Sequence, residues 1–273
     1  MPSPTEITVT QLSRLIGLPG APAIVDVRDE DDYPADPRLI PGSRHHDYRN
    51  TAAWAGRYAG RQVVVSCQKG LKLSQGVAAL LRHEGIEAES LEGGFLAWRD
   101  AGQMLVDTAK LPPRDAAGRT VWVTRARPKI DRIACPWLIR RFVDPDAAFL
   151  FVAPAEVPAV AERFGAAAFD IENVFWSHRG EKCTFDAMVE EFGLVSKTLS
   201  HLSLIVRGAD TARLDLAPES AGLLAASLGY SRMYKDDLAQ LEASMGLYDA
   251  IYRWCRDAQE EQHNWPTASK VAG

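Results

Sequence analysis

Cysteine is scarce and scattered in this sequence. Cys67, Cys135, Cys183 and Cys255 form no CxxC pair and no dense framework, which excludes a disulfide-stapled fold and the common zinc ribbons. A reducing cytoplasm is the expected setting. Long apolar runs are missing too: nothing approaches the about 20 residues of a membrane span. The start, Met1-Pro2-Ser3-Pro4-Thr5-Glu6, lacks a basic segment followed by an apolar one, so no membrane partner is expected. There is no excess of positive charge. With 31 Lys and Arg against 36 Asp and Glu, the formal net charge of −5 gives no general pull toward nucleic acid. What is present is ordinary for soluble proteins, 47% hydrophobic and 25% charged residues able to bury a sizeable core, and 273 residues suit two domains.

The most informative stretch is Ser66-Cys67-Gln68-Lys69-Gly70-Leu71-Lys72. An all-apolar run, Val63-Val64-Val65, precedes it and a helical pattern from Leu73 to Arg82 follows. This order predicts a buried parallel strand that delivers Cys67 to a tight turn whose backbone N–H groups point inward. The positive end of the next helix would stabilise a sulfur anion or a bound oxyanion there. The alternative is a plain core cysteine after a strand. Around this stretch, Ile7 to Val9 reads as a strand, with Thr10 capping a helix over Gln11 to Ile16. Ala23 to Val27 reads as a buried strand ending in Asp26-Val27-Arg28, and Ile40-Pro41-Gly42-Ser43 as a turn. Gly85 closes the helix after the cysteine, Ile86 to Leu91 makes another strand, Gly93-Gly94 a turn and Phe95 to Asp100 a short helix. Strands alternating with helices imply a parallel α/β sheet, which binds ligands at the carboxyl ends of its strands. Cys67 falls at such an end.

Asp26-Val27-Arg28, Ile40-Pro41-Gly42-Ser43, the Cys67 loop and Leu91-Glu92-Gly93-Gly94-Phe95-Leu96-Ala97-Trp98 occur in this order, and together they resemble a rhodanese domain over about residues 5–105. The resemblance implies sulfur transfer. Cys67 would take sulfane sulfur from a small donor such as thiosulfate, hold it as a persulfide, and pass it to a thiol or cyanide-like acceptor. Gln68, Lys69, Gly70, Leu71 and Lys72 would form the anion-binding loop, with Asp26 and Arg28 as supporting groups. Two positions depart from the family: Ile40 stands where His is frequent, and Lys72 where Arg is common. Phosphatases on the same scaffold use a loop one residue longer that ends in arginine, a form this loop lacks. A non-catalytic rhodanese serving as a docking module is the remaining alternative.

The stretch from 106 to 119, with Pro112-Pro113 and Ala116-Ala117-Gly118, reads as a linker between a domain over 1–105 and one over 120–258. Val121 to Thr124 restarts regular structure as a strand, and Arg125, Arg127, Lys129 and Arg132 follow as a basic cluster. A helix is expected from after Cys135, because Pro136 suits a first turn. Ala148 to Val152 reads as a strand, Pro154 to Phe164 as a helix, and Ala167 to Ile171 as another strand. The turn-rich stretch that follows collects Asp170, His178, Cys183 and Asp186. Thr184 is the expected helix cap there, and a cysteine beside a positive helix end tends toward thiolate. These four residues form a candidate site for a zinc-like divalent ion. Otherwise they are a surface histidine, a small apolar cysteine and capping acids. A helix from Ala217-Pro218-Glu219 is expected to end at Gly229. Tyr234, Leu238, Leu241, Met245, Tyr248, Tyr252 and Cys255 recur at helical spacing, which reads as core, with a dimer seam as the alternative. Residues 259–273 read as a polar, flexible tail.

This second half has its own likeness. Asp131-Arg132, Trp137-Leu138-Ile139-Arg140-Arg141-Phe142, Ser177 through Phe185 and Arg207-Gly208-Ala209-Asp210 resemble the C-terminal domain of the chromate-resistance protein ChrB over about 119–258. The expected whole is a rhodanese-like α/β domain with a parallel sheet, then a mainly helical α+β domain. The resemblance implies a role in chromate resistance or sensing, with the tetrahedral chromate oxyanion as an expected ligand. Regulatory members carry a DNA-binding region where this chain has the rhodanese-like one, so no nucleic-acid partner is expected. A non-catalytic chromate-responsive regulator or interaction protein is the competing function.

Overall fold

The computed structural model describes residues 5–261, and most of the segment set off as a tail lies outside them. The first half builds a five-stranded sheet from β1 (Glu6–Ile7), β2 (Ala23–Asp26), β3 (Ser43–His45), β4 (Val63–Ser66) and β5 (Ala88–Leu91), all parallel, in the order β1-β5-β4-β2-β3. Val63, Val64 and Val65 are all buried, as a central strand covered on both faces requires. Alternation sends Val25, Val63 and Val65 to one face, where Val77, Ala78 and Leu81 of α4 (Lys72–His83) cover them. Ile24, Val64 and Leu91 point to the other face. The short helices are α1 (Val9–Ser13), α2 (Asp32–Ala35), α3 (Thr51–Trp54) and α5 (Gly94–Asp100). Thr8, rather than Thr10, caps α1. Its hydroxyl accepts from the Gln11 N–H at 3.2 Å while the Gln11 side chain reaches back to the Thr8 N–H at 2.9 Å.

The second half is mainly helical around a three-stranded parallel sheet, β6 (Val121–Arg125), β7 (Ala148–Val152) and β8 (Ala167–Ala168), in the order β7-β6-β8. Its helices are α6 (Asp131–Leu138), α7 (Val157–Phe164), α8 (Thr184–Glu191), α9 (Lys197–Asp210), α10 (Ser220–Met233) and α11 (Asp237–Asp257). Two boundaries differ from the sequence expectation. Helix α6 begins at Asp131 and holds Pro136 in its interior, then widens over Ile139–Val143, where the Asp144 N–H bonds back to the Ile139 carbonyl at 2.8 Å. A proline cannot supply the N–H of a regular turn, and the wider turn absorbs the irregularity. Helix α10 runs through the exposed Gly229 to Met233, past buried Ser231, whose carbonyl accepts from Arg127, despite the roughly 1 kcal/mol preference against an interior glycine. On α11, Leu241, Met245, Tyr248, Tyr252 and Cys255 are buried in the core, as the spacing implied, whereas Leu238 is exposed and Tyr234 ends α10 rather than belonging to this helix. No helix among the described residues is long and apolar enough to cross a membrane.

The two halves share a hydrophobic core. Ile24, Val64, Leu91 and Trp98 belong to the same buried cluster as Trp122, Trp137, Phe142 and Tyr252. Gly17 lies so close to this seam that a Cβ there would fall 2.5 Å from the Phe142 ring and 2.9 Å from that of Tyr252. The segment 106–119 is a strap packed along the seam. Val106 and Leu39 exchange backbone hydrogen bonds, the Asp107 N–H donates to the Phe192 carbonyl at 3.0 Å, and the Thr108 hydroxyl donates to the Pro37 carbonyl at 2.9 Å. Buried Asp144 closes the junction, accepting from Arg44 of β3 at 3.1 Å, Arg114 of the strap at 2.9 Å, and the Thr120 N–H and hydroxyl at 2.7 and 2.8 Å. Burial works against its charge, but Arg114, Thr120 and Arg44 hold the carboxyl below the usual carboxylate range. Removing one partner of a buried pair leaves the others uncompensated, and the partial exposure of Arg114 (30%) softens the loss. Asp144→Ala is therefore expected to lower stability by on the order of 2–4 kcal/mol. Urea unfolding followed by tryptophan fluorescence and by far-UV circular dichroism should shift together for this variant, as one transition.

Candidate functional site

Cys67 leaves the carboxyl end of β4 and lies almost entirely buried, with the Sγ atom 3.2 Å from the Ser74 hydroxyl in the first turn of α4. Ser74 in turn hydrogen-bonds the Leu71 carbonyl at 3.2 Å. No side chain among the described residues caps α4, which leaves its first N–H groups available to an anion at the loop. The loop is held from behind by the start of α5. The Phe95 N–H donates to the Cys67 carbonyl at 2.9 Å and the Leu96 N–H to the Gln68 carbonyl at 3.0 Å. Contact there is backbone on backbone. A Cβ on Gly94 (φ +60°) would fall 2.2 Å from the Cys67 carbonyl oxygen, and one on Gly70 (φ +69°) 2.4 Å from that of Leu91. This is why Gly70 and the Gly93-Gly94 turn carry no side chains. Lys69, Leu71 and Lys72 are exposed around the loop, and the buried Gln68 Oε1 has no hydrogen-bond partner among the described residues.

Asp26 and Arg28 act on this loop indirectly. Asp26 sits on the opposite face of the sheet from the Val25, Val27 and Cys67 cluster. The pair is buried and 2.7 Å apart, and the guanidinium also donates to the carbonyls of Asp36 (2.7 Å) and Arg38 (2.8 Å). It lies 3.7 Å over the centre of the Phe95 ring. Arg28 thus braces the residue whose N–H holds Cys67, which makes both residues positioning groups. On the cysteine's own face, His46 stacks on Trp54 with ring centres 4.6 Å apart and bonds the Tyr58 hydroxyl at 2.9 Å. Burial, reinforced by Arg44 and Arg57, lowers the His46 pKa to about 4.

A second polar centre lies in the other half. His178 points its Nε2 at three carboxylates: Asp170 at 3.3 Å, Asp210 at 3.3 Å and Asp131 at 3.5 Å. The Asp170 N–H bonds the Trp176 carbonyl, and a tight turn over 179–182 fixes the His178 loop beyond it. Asp131 is fully buried and accepts from the Thr184 N–H at 2.7 Å, while the Thr184 hydroxyl donates to Asp170 at 2.9 Å. Arg125 and Arg132 contact the far oxygen of Asp170 at 3.4 and 3.3 Å. Hydrogen bonds to the three carboxylates push the His178 pKa up, whereas burial pushes that of Asp131 up.

Of the residues grouped by sequence as a metal set, Asp170 and His178 do meet. Cys183 and Asp186 have another task. Cys183, not Thr184, is the cap of α8, its N–H and Sγ both bonding Asp186 at 3.0 and 3.2 Å. Burial, with Asp131 and Asp186 nearby, drives the Cys183 pKa far up, so it stays a thiol despite the helix end. Asp131 and Asp210 were missed as site residues. They lie far from His178 along the chain, and no local spacing connects them to it.

A parallel sheet with a cysteine loop on an uncapped helix, joined to a helical α+β half, is the architecture of a rhodanese-like domain with an appended domain. Comparison with known families agrees: residues 8–101 match the Rhodanese-like domain and residues 122–255 match "ChrB, C-terminal domain". The chain is a rhodanese-like domain joined to a ChrB C-terminal domain. It is 29% identical over 192 residues to Protein ChrB of Cupriavidus metallidurans, a match covering 65% of this chain and 57% of that protein. Solved structures similar to it include a rhodanese-related protein from Thermoplasma volcanium (20% identity, 37% of this chain and 96% of that one, TM-score 0.33). Another is a rhodanese-like domain protein from Staphylococcus aureus (26% identity, 34% of this chain and 90% of that one, TM-score 0.31).

Two outcomes are expected. Gly94→Ala should displace the Cys67 loop, because the backbone atoms it meets cannot yield, and alkylation of Cys67 by iodoacetamide should change in rate while Cys135 and Cys183 stay protected. His46 is neutral when folded and takes a proton more readily when unfolded, so stability falls as pH drops from the ordinary 6.5 toward about 4. In His46→Gln, the urea midpoint should fall less steeply across that window.

Proposed function

We propose that the rhodanese-like domain is a sulfurtransferase with Cys67 as its nucleophile, working in resistance to chromate. The observation that carries this reading is the placement of Cys67 on the uncapped start of α4, with Lys69 and Lys72 exposed around the loop. An anionic donor such as thiosulfate fits that field. The Cys67 thiolate attacks the outer sulfur of thiosulfate, the S–S bond breaks, and sulfite leaves with the electron pair. The resulting persulfide anion lies against the first N–H groups of α4. An acceptor, cyanide or a thiolate, then attacks the terminal sulfur and the Cys67 thiolate is restored, with no external oxidant or reductant. The loop amides and helix end supply the electrostatic support, and the Arg28–Phe95 contact keeps the loop in place. The link to chromate rests on the ChrB C-terminal match.

A second reading treats the domain as an interaction scaffold, and the near-complete burial of Cys67 favours it. One assay separates the two. Thiosulfate and cyanide should yield thiocyanate, and mass spectrometry should find one added sulfur on Cys67 after thiosulfate alone. Cys67→Ser should abolish both, and Lys69→Ala should lower kcat/KM for thiosulfate roughly tenfold, the size of one charge-assisted contact. Chromate tolerance equal in cells carrying wild type and Cys67→Ser, with no persulfide from any donor, would leave the scaffold reading standing.

A further inference from the structure

We propose that Asp131, Asp170, His178 and Asp210 form a binding site for a first-row divalent metal ion of the Mn2+ type, a function separate from sulfur transfer. The four side chains come from four places: the first residue of α6, the turn after β8, the loop before α8, and the last residue of α9. One ligand atom each from Asp131, Asp170 and His178 lies within 4.8 Å of the others, and Asp210 reaches the same imidazole nitrogen at 3.3 Å. A single Nε2–H can serve one acceptor, yet three carboxylates converge on it at 3.3 to 3.5 Å, longer than good hydrogen bonds. Arg125 and Arg132 pair directly with Asp170, and the Arg132 charge also acts on Asp210 and Asp131. Three carboxylates grouped around one imidazole Nε2 offer an oxygen-rich ligand set with one nitrogen, of the kind a divalent cation can share.

Three further observations point to the same place. The carboxylates are oriented by outer hydrogen bonds in the manner of metal ligands: Thr184 N–H to Asp131 at 2.7 Å, and Thr184 hydroxyl to Asp170 at 2.9 Å. The cluster also sits at the carboxyl ends of β6 and β8. The chain leaves central β6 for β7 on one side and returns for β8 on the other, and the crevice at such a reversal is where open α/β sheets hold ligands. Finally, Thr124, one residue short of the β6 carboxyl end, is fully buried, and its hydroxyl has no partner among the described residues. It lies on the Trp122 face of the strand, whose indole packs against Trp176 and Phe169, the neighbours of His178 and Asp170. A buried polar group on the strand face next to the residues that flank the cluster is thus left without a partner among the described residues. The His178 side chain is 40% exposed, so an ion can enter from solvent. Oxygen donors outnumber nitrogen and no thiolate takes part, which favours Mn2+-type ions over soft ones.

The test is titration of the full chain with Mn2+, followed by the electron paramagnetic resonance signal of the free aqua ion, near neutral pH. Wild type should show one saturable site per chain. His178→Ala and Asp210→Asn, both at the solvent side of the cluster, should each weaken binding at least roughly 100-fold, more than loss of an outer-sphere partner. Circular dichroism should show both variants folded. Glu242→Gln, a surface acid elsewhere, and Cys67→Ser should bind Mn2+ as wild type does, so this result stands apart from the sulfurtransferase assay. Absence of a saturable site in wild type, or full-strength binding in both folded variants, would overturn the proposal.

Discussion

Asp144 carries one negative charge into a place with almost no water, and it is stable there because four donors from three parts of the chain converge on it. Arg44 comes from the sheet of the first half, Arg114 from the strap, and Thr120 from the entry to β6. Each donor fixes a direction as well as a distance, so the carboxylate sets the relative position of the two sheets. The apolar seam around Gly17, Phe142 and Tyr252 supplies most of the burial, but hydrophobic contact is non-directional and would tolerate sliding. Charge and apolar packing therefore divide the work between orientation and stability.

The two polar centres use one architectural position for opposite ends. Both lie at the carboxyl ends of parallel strands, beside a helix N-terminus. At Cys67 the helix end carries no side-chain cap, and the field there attracts an anion. At α8 the end is filled by carboxylates: Asp131 takes the Thr184 N–H and Asp186 the Cys183 N–H. That leaves buried carboxylates, rather than open N–H groups, at this helix end. The same backbone geometry thus presents either open N–H groups or carboxylates, depending on whether acids occupy the helix end. The cysteines differ in their partners too: the Cys67 sulfur meets the Ser74 hydroxyl, and the Cys183 sulfur meets the Asp186 carboxylate.

Much of the first half was readable in the sequence because its signals are local. Three successive valines, a cysteine, and a glycine-containing loop lie within ten residues, and the Gly93-Gly94 turn packs directly against that loop. The supporting role given to Asp26 and Arg28 was harder to read correctly, because strand alternation turns Asp26 to the opposite face and their influence passes through Phe95. In the second half the informative contacts are long-range. His178 was visible as a candidate, but Asp131 and Asp210 are brought to it only when α6 and α9 pack against each other. Pro136 and Gly229 also misled: core packing keeps buried Pro136 inside α6, and α10 continues past exposed Gly229 to Ser231, which is buried and bonded by Arg127.

The shared core has a consequence during synthesis. The sheet face formed by Ile24, Val64 and Leu91 is completed by residues as late as Tyr252. At about 5–20 residues per second, the ribosome needs on the order of ten seconds to add them after Leu91 emerges. Through that interval the nascent first half holds its sheet with one apolar face uncovered. The chain therefore presents a temporary substrate to chaperones, and slow codons between the strap and α11 would lengthen its exposure.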